Sequence, residues 1–320
     1  MRTTVFRLAW SLLFLFGVST AWAKDIRIEK RFDLAAGGAL SLRTEAGGAT
    51  VHGGNGSQAL VVITSDRSDF NEVFNVRFDA KPSRLEVVIE RKNKGFFNWF
   101  SGFRGRTHVD VELPRKASAE VHSSGGGVQV SNLQGPVKAK SSGGGVQVAD
   151  IDADVEASSS GGAVRCERVH GKVTAGSSGG GVDVKAIGGA ADLESSGGSV
   201  VAEDVGGDVR ASSSGGGVRV QEARGSVEAG SSGGSVKVSF AAGNSRGGRV
   251  HSSGGGVAVQ VDPGVGLEID ARSSGGSVSS DLPVTVRGKI SRSSLHGKLN
   301  GGGAILEVHS SGGGVTLAPR

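Results

Sequence analysis

Several residue groups have the types and spacing that could do chemistry. Gly-x-Ser-x-Gly at 176–180 and 230–234 puts Ser178 and Ser232 in the position of an acyl-transfer nucleophile. That chemistry needs a strand, a strained turn and a helix to lift the hydroxyl, and here the motif arises wherever a Gly precedes a recurring Ser-Ser-Gly-Gly. Asp150, Asp152 and Asp154 begin like a calcium loop, but an EF-hand would need Gly at its sixth position and Glu at its twelfth. Val155 and Gly161 stand there, so the run is either a solvated acidic turn or a surface calcium site. His122, His251 and His309 each precede a Ser-Ser and share one column, yet many repeats separate them in sequence, which predicts that they cannot meet one metal. Cys166 is the single thiol and cannot form an internal disulfide. No phosphate-binding Gly-x-x-x-x-Gly-Lys-Ser/Thr, no His-Glu-x-x-His and no column of paired carboxylates suited to glycoside chemistry occurs. These observations favour a non-enzymatic chain with no cofactor.

One segment does not repeat. Residues 91–106 hold five basic residues, no acid and five aromatic residues. Phe96, Phe97, Trp99, Phe100, Phe103, Arg104 and Arg106 form the candidate membrane- or partner-binding site. Rings flanked by cations suit a membrane interface, where they sit at headgroup depth beside anionic lipid. They also suit a protein hot spot, or a plug folded back over the open end of a repeat stack.

The elements that would position these groups are set by the repeat. Of 320 residues 56 are Gly, 43 Ser and 6 Pro, about a third of the chain; such a fraction reads as low complexity unless it has a period. It has one: Ser-Ser-Gly-Gly begins at 123, 141, 159, 177, 195, 213 and 231, spaced by 18, and again at 252, 273 and 310. Aligned on that motif, Val128, Val146, Val164 and Val182 fill one column, and Val130, Val148, Cys166 and Val184 the next. Leu133, Ile151, Val169 and Ile187 fill a third, Val137, Val155, Val173 and Ala191 a fourth. Alternation inside each short run marks strands with one buried face. Each 18-residue unit thus holds two strands, too little to bury an apolar face alone, so successive units must stack.

The expected fold is all-β: a single-chain parallel β-solenoid of about eleven coils stacked at ~4.8 Å. Gly125 and Gly126 are expected to make one turn, and Gly135, Gly171, Gly189, Gly207 and Gly225 the other, through the positive φ that glycine adopts cheaply. Ser293–Gly297 reads as a degenerate coil between those at 273 and 310. In the outward columns Lys138 lies over Glu156; Asp192, Arg210 and Glu228 alternate in sign, as do Glu167, Lys185 and Glu203. In-register stacking favours this pattern. Cys166 occupies a valine column and reads as a buried apolar residue.

Residues 1–23 have a charged start at Arg2 and Arg7, an apolar run from Leu8 to Val18 and Ala21-Trp22-Ala23, the layout of a secretory signal peptide. Its removal lowers the formal charge from +5 to +3. Residues 24–120 read as a β-rich N-terminal cap region in which 44–51 is one degenerate coil, and 121–320 as the Ser-Ser-Gly-Gly solenoid. Val109-Asp-Val-Glu-Leu-Pro114, then Ala119, Val121 and the 18-residue Ser-Gly/Val units, resemble the bacterial putative-adhesin family of exported β-solenoids, a domain of unknown function. The resemblance covers about residues 40–320 and implies fold without catalytic residues. The resulting expectation is an exported, adhesin-like binding or structural module, periplasmic first, with cell surface or medium as further destinations. Its partner would be an envelope component, membrane surface or protein, and not nucleic acid, because the charge signs are interspersed. The alternative is a polysaccharide-active β-solenoid enzyme, which would need long side loops that the repeat does not supply.

Overall fold

The computed structural model describes residues 26–92, 105–286 and 291–320; the residues read as a signal peptide, 1–23, lie outside them. The chain is an all-β solenoid. Each 18-residue unit gives one strand to each of two facing sheets: Val128–Leu133 to the first and Val137–Ser141 to the second, then Val146–Ile151 and Val155–Ser159, and so on. Among the described residues the sheets hold 14 and 15 strands. Twelve consecutive strands in each pair parallel, against the eleven coils expected. At ~4.8 Å per strand the stack is about 60 Å long. Neighbours sit in register, with Val146 between Val128 and Val164, and the inward valines, leucines and isoleucines form one continuous core from Leu34 to Leu317.

Two turns close each coil, and the repeat glycines in them do not take positive φ. The left-handed residues are instead Asn132, Asp150, Arg168, Ala186, Asp204 and Glu222, a column spaced by 18 with φ of 53–58°. A left-handed residue here interrupts alternation: Ser131 and Asn132 both point outward and Leu133 turns in, bending the chain toward the opposite sheet. Non-glycine residues pay about 1–2 kcal/mol each for this conformation. The repeat glycines serve a different need. A Cβ on Gly162 would lie 2.4 Å from the Gly145 nitrogen and 2.5 Å from the Gly144 carbonyl carbon of the preceding coil, and one on Gly189 would lie 2.7 Å from the Gly171 carbonyl carbon. Glycine is required by the close approach of one coil's backbone to the next.

The first serine of each motif locks that approach. Ser177 is buried; its Oγ donates to the Gly162 carbonyl of the preceding coil (2.8 Å) and accepts from the Gly180 N–H of its own (2.9 Å). Ser123, Ser141, Ser159, Ser195, Ser213, Ser231, Ser252, Ser273 and Ser310 repeat the arrangement. Ser177→Ala leaves a buried carbonyl and N–H without this partner and is expected to cost about 1–3 kcal/mol. Ser178→Ala, on the exposed neighbour, should stay within about 0.5 kcal/mol. Urea unfolding of the two variants measures the difference.

The ends depart from sequential stacking. The coil Ala39–Thr44 and Gly48–Gly54 is not terminal: it lies between Ser118–Ser123 with Val128–Leu133 on one side and Arg84–Arg91 with Thr107–Pro114 on the other. Beyond these, Ile26–Asp33, Gln58–Ser65 and Phe74–Lys81 close the stack in antiparallel pairing, with Phe32 and Phe78 meeting across the sheets at 5.5 Å between ring centroids. At the other end the last coil, Ala304–Ser310 and Val315–Pro319, sits between the coil Gly248–Ser252/Val257–Val261 and the coil Leu267–Ser273/Val278–Ser280. Ser294–Leu299 is no degenerate coil; it pairs antiparallel with Leu267–Ser273, because the chain must reverse there to bring its last coil back into the stack.

Candidate functional site

Within the aromatic and basic segment, Phe96, Phe97, Trp99, Phe100, Phe103 and Arg104 lie outside the described residues; Arg106 is described and exposed. The segment connects Arg84–Arg91 of the second sheet to Thr107–Pro114 of the first, so its described ends lie on the same edge of the stack as the Ser-Ser-Gly-Gly turns. The Arg91 N–H donates to Glu45 Oε2 (2.9 Å), the Lys92 N–H to the Val73 carbonyl (2.9 Å) and Lys92 Nζ to the Asn71 carbonyl (2.6 Å). At the other end the Arg106 N–H donates to Asp66 Oδ1 (2.5 Å), while the Asp66 N–H donates to the Arg106 carbonyl (3.2 Å).

Beneath these ends lies a small packed base. The helical turn Phe70–Val73 buries Phe70 against Phe74, with centroids 5.3 Å apart. Arg67 is buried and grips both carboxylate oxygens of Asp69 through Nε (2.9 Å) and Nη2 (2.8 Å). This bidentate pairing holds the Asp69 carboxyl below its usual range. The guanidinium carbons of Arg67 and Arg91 stand 5.9 and 6.0 Å from the Phe74 ring centroid. Gly105 has φ +98°, and a Cβ there would strike the Arg67 side chain. Sequence reasoning missed Glu45, Asp66, Arg67 and Asp69, since no periodicity marks isolated polar residues in connections. Together they fix where the segment leaves and rejoins the two sheets.

The other chemical candidates resolve into structure. Asp150, Asp152 and Asp154 each meet the residue one coil on: Arg168 (2.6 Å), His170 (2.8 Å) and the Lys172 N–H (2.8 Å). The Arg168 hydrogen bond holds the Asp150 carboxyl below its usual range. Among the described residues no group of three or more His, Cys, Asp or Glu is arranged to hold a metal. The expected separation of the histidines needs correction for one pair: His251 and His309 are register neighbours on adjacent strands, brought together because the last coil inserts beside residue 251, while His122 lies many coils away. Cys166 is fully buried in the valine column, and burial pushes its thiol up to about 12, which removes thiolate reactivity near neutral pH. Part of the expected outward pairing forms, while Glu167 turns to Arg168 instead of Lys185. Lys138 and Lys140 reach Glu156 at 2.9 and 3.0 Å, Lys185 reaches Glu203 at 3.0 Å and Arg210 reaches Glu228 at 3.1 Å. The Lys138 and Lys140 hydrogen bonds hold Glu156 below the usual carboxylate range.

The family model described as Toastrack DUF4097 matches residues 40–318, including the stretch that carries the resemblance. No curated protein matches the chain. Among solved structures, a "putative adhesin" from Bacteroides fragilis is 13% identical with TM-score 0.40, covering 92% of this chain and 97% of its own. A "putative lipid binding protein" from Parabacteroides distasonis is 10% identical with TM-score 0.39, covering 92% and 96%. A "putative cell adhesion protein" from Clostridium sporogenes is 12% identical with TM-score 0.24, covering 93% and 100%.

Proposed function

The chain belongs to the Toastrack DUF4097 family, and on that premise we propose that it is an exported, non-enzymatic β-solenoid of the bacterial envelope, adhesin-like in role, which presents residues 91–106 to a membrane surface. Periplasm is the expected compartment, from the leader-like residues 1–23. The observation that carries the reading is the concentration of five aromatic residues and five cations, without one acid, in a single connection. Support comes from the described ends of that connection, which are tied to Glu45 and Asp66 on a rigid two-sheet platform. Such a platform holds the described ends of the segment at fixed places, and fixed ends lower the ordering cost of binding.

Phe96, Phe97, Trp99, Phe100 and Phe103 would supply the apolar contact, with Arg104 and Arg106 supplying attraction to anionic headgroups. Mature protein is expected to pellet with vesicles rich in anionic lipid more than with zwitterionic ones. The Phe97→Ala/Trp99→Ala variant should bind at least about tenfold less, since each buried aromatic contributes on the order of 1.5 kcal/mol or more. Equal pelleting of both proteins, or none with either vesicle, would overturn the membrane reading.

A further inference from the structure

The last coil does not lie where the chain order would put it. Val308 pairs with Val250 on one side and with Ala271 on the other, and Val315 lies between Val257 and Val278. The two walls of this slot are consecutive in sequence, and their motifs at Ser252 and Ser273 are 21 residues apart, the same spacing as from Ser231 to Ser252. The walls therefore have the length to stack directly on each other.

The walls also carry the same polar code as every other coil. Ser310 Oγ donates to the Gly255 carbonyl (2.9 Å) and Ser273 Oγ donates to the Gly313 carbonyl (2.8 Å). These repeat the bond from Ser252 Oγ to the Gly234 carbonyl (2.8 Å) made between sequential coils. Apolar columns, glycine clearance and serine clamps thus define a place for a coil of this type, without defining which chain supplies it. The coil enters the slot through one tight turn, Asn300, Gly301 and Gly302, all left-handed at φ 45, 85 and 91°. Asn300 Nδ2 ties that turn to the Pro263 (2.5 Å) and Val265 (3.1 Å) carbonyls. Extending the turn would carry residues 304–320 out as a unit.

We propose that the slot between residues 248–261 and 267–280 accepts the C-terminal coil of a second copy of this chain, so that two molecules exchange residues 304–320 reciprocally. Exchange reproduces every contact of the coil and changes only the turn at 300–302, the condition under which swapping is inexpensive. It reaches beyond the membrane reading by giving the scaffold a means of joining to itself, and it does not depend on residues 91–106.

His251 and His309 provide the test. They are exposed, point from the same face and are register neighbours on adjacent parallel strands. Their strand spacing of ~4.8 Å falls within the Cα separation of about 4.4–6.8 Å that a disulfide spans. The native thiol, Cys166, is buried and inert. Chains carrying His251→Cys and chains carrying His309→Cys are mixed, unfolded in guanidinium, refolded together over a range of protein concentrations and oxidised with oxidised glutathione. Exchange predicts a disulfide-linked dimer whose fraction rises about tenfold for a tenfold rise in concentration while it is the minor species. Dimer no more abundant than from a mixture of His309→Cys with Lys237→Cys, on the opposite sheet, would overturn the proposal. The double variant in one chain should close its disulfide within the monomer at low concentration; failure to do so would remove the register, and with it the slot.

Discussion

Gly198→Ala is expected to lower the stability of the stack by about 3 kcal/mol or more, whereas Gly181→Ala should cost under about 1 kcal/mol. A Cβ on Gly198 would lie 2.5 Å from the Gly181 nitrogen and 2.6 Å from the carbonyl carbon and oxygen of Gly180. All three atoms are backbone of the preceding coil, so no rotamer change relieves the clash. The coils must part, which stretches the Val182–Val200 ladder and the bond from Ser195 Oγ to the Gly180 carbonyl (2.9 Å). Gly181 occupies the next position of its motif, where a Cβ would approach one atom closely, the Ser199 carbonyl oxygen at 2.9 Å. Ala163, Ser199, Ser235 and Ser277 already fill that position in other coils, so the neighbour can yield. Urea unfolding of both variants, with hydrogen exchange across 177–205, measures the contrast. Equal costs would mean that glycine is used here for backbone freedom and not for clearance.

That contrast also marks how far the fold could be read from the chain. The apolar columns and alternating charges were legible because every coil faces the same physical demand, so Val128 and its equivalents recur and Lys138 finds Glu156. The purpose of the glycine pair was not, since composition alone does not separate a positive φ from a close approach. Nor was the left-handed column legible: Asn132, Asp150, Arg168, Ala186, Asp204 and Glu222 share no chemistry that announces it. The order of coils at the ends was hidden for a deeper reason. Ser252, Ser273 and Ser310 present the same clamp, and a code identical in every repeat cannot state which repeat is its neighbour. At the candidate site, the composition of 91–106 stood out against the repeat, while its supports Glu45, Asp66 and Arg67 are single residues that only the three-dimensional arrangement brings together.

Leu42→Asp is the sharpest consequence of the inserted N-terminal coil. Under sequential stacking residues 39–54 would be an end coil, where a carboxylate could fray outward to water. In the structure Leu42 is fully buried and in register with Val87 on one side and Val121 on the other. A carboxyl placed there has no cation or donor in its column, and a fully buried acid can be shifted by 3–5 pH units, equivalent to about 4 kcal/mol or more at neutral pH. The expected result is detachment of the outer strands, seen as lost amide protection across 26–91 and 107–114, while coils beyond residue 137 keep theirs. Burial raises the pKa of this carboxyl above its unfolded value of about 4, so the folded state binds the extra proton and stability falls as pH rises between the two values. The loss should therefore be smaller at pH 4 than at pH 7. Val76→Asp, in the edge strand Phe74–Lys81, should cost only about 1 kcal/mol. If the two variants lost equal protection over equal lengths of chain, the coil at 39–54 would have to lie at the end of the stack and not inside it.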